Sequence, residues 1–400
     1  MRIIHLTNTD EGGAGIAVKR THQRLIDLGY ESILIVKKDV RDNDSTIKKL
    51  YKRVKNKFSQ QTIYSEKYCF FSKNELIKQS NNKLLSKIKD HDILIFYWIG
   101  DGFINLETIK EINNYKKVKI FWYSVDMAPF TGGCHYFWNC LGYTQKCENC
   151  PAVLSGDTNL PKLQFEIKNE IAKEIEINIL ASSFTGLSLM KKSNIKYYNY
   201  SVLPYAINTE VFNLSKKKNA NSIKKIFFNA QNVTDPRKGY NILVEIIITL
   251  KNLLLNKDYL IEFMCVDNIS SFQHLESPNL KFVNYDKPIN SELSLANLYN
   301  QADLFLCTSI EDLSPLMVNE ALLCGVPVIT FNNASNSEYI TNGVNGILID
   351  NFNIKLFANS IFDFTIGKYN FSDALEIRNS ILPIHEKQNW SINFKKILNA

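Results

Sequence analysis

Short apolar runs bounded by turn residues alternate along the chain with longer stretches whose apolar positions recur at helical spacing. Arg2 to Thr7 reads as a strand and Asn8 to Gly15 as a glycine-rich turn. Ile16 to Leu28 then reads as a helix closed by Gly29, and Glu31 to Lys37 as a second strand, which together make a βαβ unit. Further strands are predicted at Ile93 to Phe96, Val118 to Tyr123, Ile177 to Leu180 and Ser201 to Leu203, with helices around Leu106 to Asn113 and Phe184 to Lys192. Alternating strands and helices of these lengths imply an α/β domain with a parallel sheet. After a polar, lysine-rich stretch the pattern restarts with strand Ile226 to Asn229 and helix Tyr240 to Leu255, then strands Leu260 to Val266 and Leu280 to Val283. Helix Ser291 to Asn300, strand Asp303 to Cys307, helix Pro315 to Cys324 and strand Val328 to Phe331 complete a second such domain.

Size agrees with two domains, because 400 residues exceed what one hydrophobic core usually accommodates. With 45% hydrophobic and 22% charged residues the composition is that of a globular protein. The apolar start, Met1 to Leu6, is too short for a signal-peptide core, and Tyr240 to Leu255 is interrupted by Asn241, Glu245 and Lys251. A cytoplasmic protein is therefore expected. Charge adds one feature: residues 47–90 hold 12 Lys and Arg against 3 Asp and Glu, more than the whole chain's excess of +7. Tyr51, Phe58, Tyr64, Tyr68, Phe70 and Phe71 are interleaved with these cations. That mixture suits an anionic membrane surface and equally suits a solvated helix pair. No recognition motif accompanies the lysines, so a nucleic-acid partner is not expected.

In open parallel sheets ligands bind outside the carboxyl ends of strands, at loops leading into helix N-termini. Three loops have that position. In the first, Gly13, Ala14 and Gly15 allow a backbone to approach a ligand closely. As a nicotinamide fingerprint it fails, with Val18 at the third glycine position and Lys37-Lys38 where a ribose-binding acid belongs. The second, Gln231 to Gly239, presents Arg237 and Lys238, fixed charges able to neutralise a diphosphate leaving group without a metal. The third runs from Thr308 to Ala321. Ser314 is expected as the N-cap of its helix, with Pro315 at the first helical position and Gly325 at the C-terminal turn. The amides of Leu316 and Met317 are then open to a phosphate oxygen, and Asp312 and Glu320 can accept hydroxyl hydrogens of a nucleotide sugar.

Asp312, seven intervening residues and Glu320-Ala321 form the signature of a large family, which the stretch from Leu298 to Asp350 resembles: the retaining glycosyltransferases of family 4, typified by bacterial polysaccharide synthases. The resemblance extends to the Gly-Gly-Ala-Gly loop, Val202 to Phe212, Asp235-Pro236-Arg237-Lys238-Gly239 and Asn342-Gly343-x-x-Gly346. It implies a GT-B fold, two Rossmann-like domains facing each other across a cleft. The expected division is residues 1–212 on the acceptor side, a linker at 213–222, a donor domain at 223–383 and a helix at 384–400 returning to the first domain. It further implies transfer of a sugar from an NDP-sugar, with retention and no catalytic metal, to a glycan or lipid-linked oligosaccharide in surface polysaccharide synthesis. Arg237 and Lys238 would bind the diphosphate, Glu320 the ribose, and Glu311 or Asp312 the sugar, since the family's first acid is usually Glu. Relatives commonly carry a His before the Asp of an Asp-Met pair, where this chain has Val125-Asp126-Met127. Asp126 stays a candidate base or acceptor contact. Two alternatives keep the fold, an epimerase or hydrolase of the nucleotide sugar and a non-catalytic binding subunit.

Four of the eight cysteines, Cys134, Cys140, Cys147 and Cys150, crowd a short segment ending in Cys-x-x-Cys-Pro. In a reducing compartment this pattern is read as a structural zinc site, with His135 as a substitute ligand, against free packed or redox-active thiols. Cys69, Cys265, Cys307 and Cys324 lie in apolar settings and are expected in cores.

Overall fold

A computed structural model describes residues 1–40, 62–68, 71–73, 75–76, 81–215, 223–228, 235–265, 272–284, 291–333 and 335–400. Gln231 to Thr234 of the second loop, Cys69 and much of the basic 47–90 segment lie outside these residues. The chain divides into one unit of Met1–Ala206 with Ile397–Ala400 and another of Ile207–Lys396.

The first unit runs β1 (Arg2–Thr7), α1 (Gly12–Asp27), β2 (Glu31–Val36), β3 (Ile63–Tyr64), β4 (Ile93–Phe96), α2 (Leu106–Tyr115) and β5 (Lys119–Ser124). It continues with β6 (Val153–Ser155), α3 (Leu160–Glu174), β7 (Ile177–Ala181), α4 (Phe184–Lys192) and β8 (Asn199–Val202). Its six-stranded parallel sheet has the order β2-β1-β4-β5-β7-β8, and β3 pairs antiparallel with β6 apart from it. Burial explains why the strands read as unbroken apolar runs: every residue of β4 and β7 is buried, whereas edge strand β8 is only half-buried throughout. Asn105 and Ser183 cap α2 and α4 by accepting from the amides of Thr108 and Gly186. His5 on β1 is fully buried between the Tyr97 and Ser32 hydroxyls, at 2.9 and 3.0 Å, and burial holds its imidazole neutral with a pKa of about 3.

The second unit runs β9 (Ile223–Phe228), α5 (Tyr240–Leu253), β10 (Leu260–Cys265), β11 (Leu280–Asn284), α6 (Glu292–Gln301), β12 (Leu304–Cys307) and α7 (Leu316–Leu323). It ends with β13 (Val328–Phe331), β14 (Gly346–Ile349), α8 (Ile354–Thr365), α9 (Ala374–His385) and α10 (Lys387–Asn399). The sheet order β11-β10-β9-β12-β13-β14, all parallel, reverses direction between β9 and β12, the switch point of a doubly wound sheet. Alternate residues of each strand enter different cores. Ile226, Phe228, Phe263, Leu304 and Leu306 pack with Leu243 and Ile247 of α5 and Phe357 and Ile361 of α8. Phe227, Met264, Phe305 and Cys307 face the other side, with Tyr299 of α6, Leu322 of α7 and Ile377 of α9. Each fully buried side chain of this size contributes about 1.5–3 kcal/mol, so these two rows dominate the unit's stability.

Three boundaries differ from the sequence reading. Ile207 and Phe212 are fully buried in the second unit's core, which moves the division ahead of residue 212 to follow Ala206. Asn213 and Ser215, at the start of the expected linker, are pinned to α6 through the Asn300 side chain at 2.9 Å. Of the expected returning helix, only Ile397–Ala400 belongs to the first unit, where Lys119 Nζ donates to the Leu398 carbonyl at 2.9 Å. No helix among the described residues is long and apolar enough to cross a membrane.

Candidate donor-binding site

Two of the three loops meet at the carboxyl ends of β9 and β12. Asp235 caps a short turn over Pro236–Lys238 by accepting from the Arg237 amide at 3.0 Å, and its other oxygen takes Arg237 Nη2 at 2.6 Å. The guanidinium is thus held in a fixed place, with Nη1 also reaching the Glu311 carbonyl at 3.5 Å. Gly239 follows with φ +66°, and a Cβ there would lie 2.2 Å from the Thr308 carbonyl oxygen, so only glycine lets this turn lie against the end of β12. The two loops are laced by Ile310 N donating to the Arg237 carbonyl at 2.6 Å and Thr308 Oγ1 donating to the Lys238 carbonyl at 2.9 Å.

Lys238 Nζ donates to Asp312 Oδ2 at 3.2 Å. Burial alone would raise the Asp312 carboxyl, but Lys238, Arg237 and the Ser314 amide together hold it below its ordinary value. Ser314 does not cap α7 as expected. Its amide goes to Asp312 Oδ1 at 3.2 Å and its hydroxyl lies 3.4 Å from Tyr339 Oη, so Pro315 takes the N-cap place with no side-chain cap. The first intrahelical donors are Val318 and Asn319, both onto the Pro315 carbonyl, which leaves the Leu316 and Met317 amides with no acceptor among the described residues. The helix ends as expected, with Gly325 at φ +71° and the Val326 and Gly325 amides closing on Ala321 and Leu322.

Glu320 is buried within α7 and accepts from Tyr299 Oη at 3.0 Å. A partner for this acid was not foreseen, because Tyr299 lies on a different helix. Asn333, after β13, is likewise unforeseen; its side chain donates to the Ser309 carbonyl at 2.8 Å and to that of Ile310, stiffening the acidic loop.

The other expected residues lie in the first unit. Gly13, Ala14 and Gly15 form the first turn of α1, which starts at Gly12 and not at Ile16. Gly15 has a steric reason to be glycine, since a Cβ would meet the Asp10 carbonyl carbon at 2.3 Å. Asp126 has both oxygens engaged, by the Ala128 amide and by His135 Nδ1, each at 2.8 Å. His135 is committed to Asp126, and among the described residues no three His, Cys, Asp or Glu side chains are grouped to hold a metal ion, although Cys140, Cys147 and Cys150 lie near enough to Cys134 to raise its thiol. Cys134 and Cys147 are buried and Cys140 and Cys150 half-buried; all four are free thiols, and burial raises those of Cys134, Cys147 and Cys150. Cys265, Cys307 and Cys324 are buried in the second unit.

Residues 212–368 match the family model described as Glycosyl transferases group 1. The spore coat protein SA of Bacillus subtilis is 28% identical over 138 residues, which cover 30% of this chain and 36% of that relative, about a third of its length. Among solved structures, sucrose-phosphate synthase from Thermosynechococcus elongatus superimposes over 100% of this chain and 98% of its own, with TM-score 0.64 and 12% identity. Anabaena HepE in complex with UDP-glucose does so over 100% and 98%, with TM-score 0.60 and 12% identity. S. aureus TarM, in a complex that includes UDP, covers 100% of both chains with TM-score 0.61 and 12% identity.

Proposed function

From a chain that carries a group 1 glycosyltransferase domain in its second unit and the GT-B fold over its whole length, we infer a glycosyltransferase that moves a sugar from a nucleoside-diphosphate donor to a glycan acceptor. The observation that carries this reading is the pair Arg237 and Lys238, fixed at the switch point of the second sheet and laced to the loop that opens α7. As the bond from sugar to diphosphate breaks, charge grows on the leaving group. Cations already in position, with the Leu316 and Met317 amides, stabilise that charge without reorganising. In this reading Lys238 exchanges Asp312 for the diphosphate, Glu311 and Asp312 accept from sugar hydroxyls, and Glu320 accepts from the ribose. The reaction retains anomeric configuration and uses no catalytic metal. The acceptor belongs to surface polysaccharide synthesis, and the basic, aromatic residues 47–90 suit one carried by a lipid at an anionic membrane.

HepE and TarM were solved with UDP or a UDP-sugar, so UDP-sugars come first in a screen of melting temperature against UDP-, GDP-, ADP- and dTDP-sugars. One donor class is expected to raise the melting temperature and to be consumed only when a free or lipid-linked glycan is added. Consumption without acceptor would establish a hydrolase or epimerase instead. Binding without turnover across acceptors would establish a binding subunit.

A further inference from the structure

The connection from β5 to α3 has almost no regular structure, only single 3₁₀ turns at Ala128–Phe130 and Gly142–Thr144 and the short strand β6. Its own apolar cluster is small, with Phe71, Cys134, Ala152 and Val153 buried and Cys150 partly so. Loop-rich segments with so little core are commonly held by cross-links or by a metal ion. The four cysteines of this segment meet one another. Cys134, Cys140, Cys147 and Cys150 each lie close enough to the other three for a negative charge on one to be felt by the rest.

Main-chain amides point at their sulfurs. Gly132 N donates to Cys147 Sγ at 3.1 Å, Gly142 N to Cys140 Sγ at 3.3 Å, and the Ala152 amide to the Cys150 sulfur. The donors to Cys140 and Cys150 each stand two residues past the cysteine, so the same turn is made twice. A neutral thiol is a weak acceptor, whereas a thiolate takes an N–H as a charge-assisted bond. Amides given to sulfur are thus a poor match to free thiols and a good match to metal-bound thiolates.

The backbone supports the same conclusion. Cys147 and Asn149 have φ of +54° and +51°, in the left-handed region that residues other than glycine seldom enter. The Cys147 amide closes on the Gly142 carbonyl at 3.0 Å, which sets the Cys140 turn beside the Cys-x-x-Cys turn. At Gly132 a Cβ would lie 2.3 Å from the Pro161 carbonyl oxygen and 2.9 Å from Cys147 Cβ, so only glycine brings its amide to that sulfur.

We propose that Cys134, Cys140, Cys147 and Cys150 are the four ligands of one structural zinc ion that fastens the connection from β5 to α3. Zinc takes four thiolates in a tetrahedron that is closed to substrate. Four zinc–sulfur bonds form as four thiol protons leave to solvent, with no change of oxidation state. His135 is not a ligand, because Asp126 and Ser72 hold its Nδ1 and Nε2. As placed, the described side chains do not bring three ligands around one point, so binding turns the sulfurs inward. Cys140 and Cys150 are half-buried and have room to turn. The Lys168 ammonium lies near enough to Cys147 to favour its thiolate and offsets part of the negative charge of such a site. The proposal does not depend on what the chain transfers.

The test is metal analysis of the whole protein, purified in reducing buffer without chelator, together with its visible spectrum after cobalt(II) replaces the bound metal. About one zinc per chain is expected. The cobalt form is expected to show the strong visible bands of a tetrahedral site and a near-ultraviolet charge transfer from sulfur. Cys140→Ser and Cys150→Ser lower zinc affinity by more than the about 10- to 100-fold that loss of an outer partner costs, and weaken the charge-transfer band. Cys265→Ala, in the second unit, leaves both as in the wild type. Chelation lowers the melting temperature and added zinc restores it. Where a serine variant fails to fold, the cobalt spectrum of the wild type decides by itself. A reduced wild type with no bound metal and no cobalt bands would overturn the proposal. Disulfides pairing these cysteines, or full zinc in both serine variants, would do the same.

Discussion

Replacing Arg237 with alanine lowers turnover of the nucleotide sugar by about 10²- to 10³-fold, the size expected when one fixed charge that faces developing negative charge is removed. The expectation follows from how the guanidinium is held. Asp235 fixes Nη2 at 2.6 Å, so the cation is in place before the donor arrives and no side-chain ordering is left for the reaction step. Arg237→Lys restores little, because an ammonium cannot keep Asp235 and reach a phosphate oxygen through two separate nitrogens. Steady-state kinetics with a saturating acceptor separate the outcomes. A fall in kcat larger than any rise in donor KM marks stabilisation that grows in the transition state. Turnover within twofold of the wild type, with only a lower melting temperature, would reduce Arg237 to a partner of Asp235.

Arg378→Met has the largest expected effect on stability, a loss of about 3 kcal/mol or more for the second unit. Arg378, on α9, is buried and donates through Nη1 to the carbonyls of Phe212 and Leu323 and through Nη2 to Thr209 at 2.8 Å. Methionine fills much the same volume but takes the Arg378 donor from the buried carbonyls of Phe212 and Leu323 and from the part-buried carbonyl of Thr209. The segment Ile207 to Phe212 also loses the tie that keeps it on the second unit's core. Urea unfolding followed by near-ultraviolet circular dichroism measures the loss, and a midpoint equal to the wild type would show that the carbonyls find water.

How much of this was legible follows from which residues are settled locally. β4, β7, β12 and β13 were readable because both faces are covered, which turns each strand into an apolar run between turn residues. Helices α3, α8 and α9 were missed although Asn353 and Asp373 carry ordinary caps for the last two. The sequence predicts a glycine-rich turn through Gly15, yet Glu11 in an extended conformation starts α1 at Gly12 with no side-chain cap. Ser314 has the composition of an N-cap, but Asp312 and Tyr339 are neighbours for its polar groups that no local rule supplies.

The acidic and basic loops of the donor site were recognisable because residue type and spacing carry their chemistry. Their partners were not. Tyr299 meets Glu320 from another helix, and Asn333 reaches the acidic loop from the end of another strand. His135 shows the same limit of local reading. Adjacent to Cys134 in sequence, it reads as a member of the cysteine cluster, whereas the fold gives it to Asp126 on one side and Ser72 on the other.

The central claim, that the nucleotide sugar is held by the two loops at the switch point of the second sheet, is tested most directly by hydrogen exchange of the whole protein with and without the donor that raises its melting temperature. Protection is predicted in peptides covering residues 235–240 and 308–320, and its loss in Arg237→Ala. Protection confined to the first unit, around residues 8–15 and 97–101, with the second unit unchanged, would contradict it.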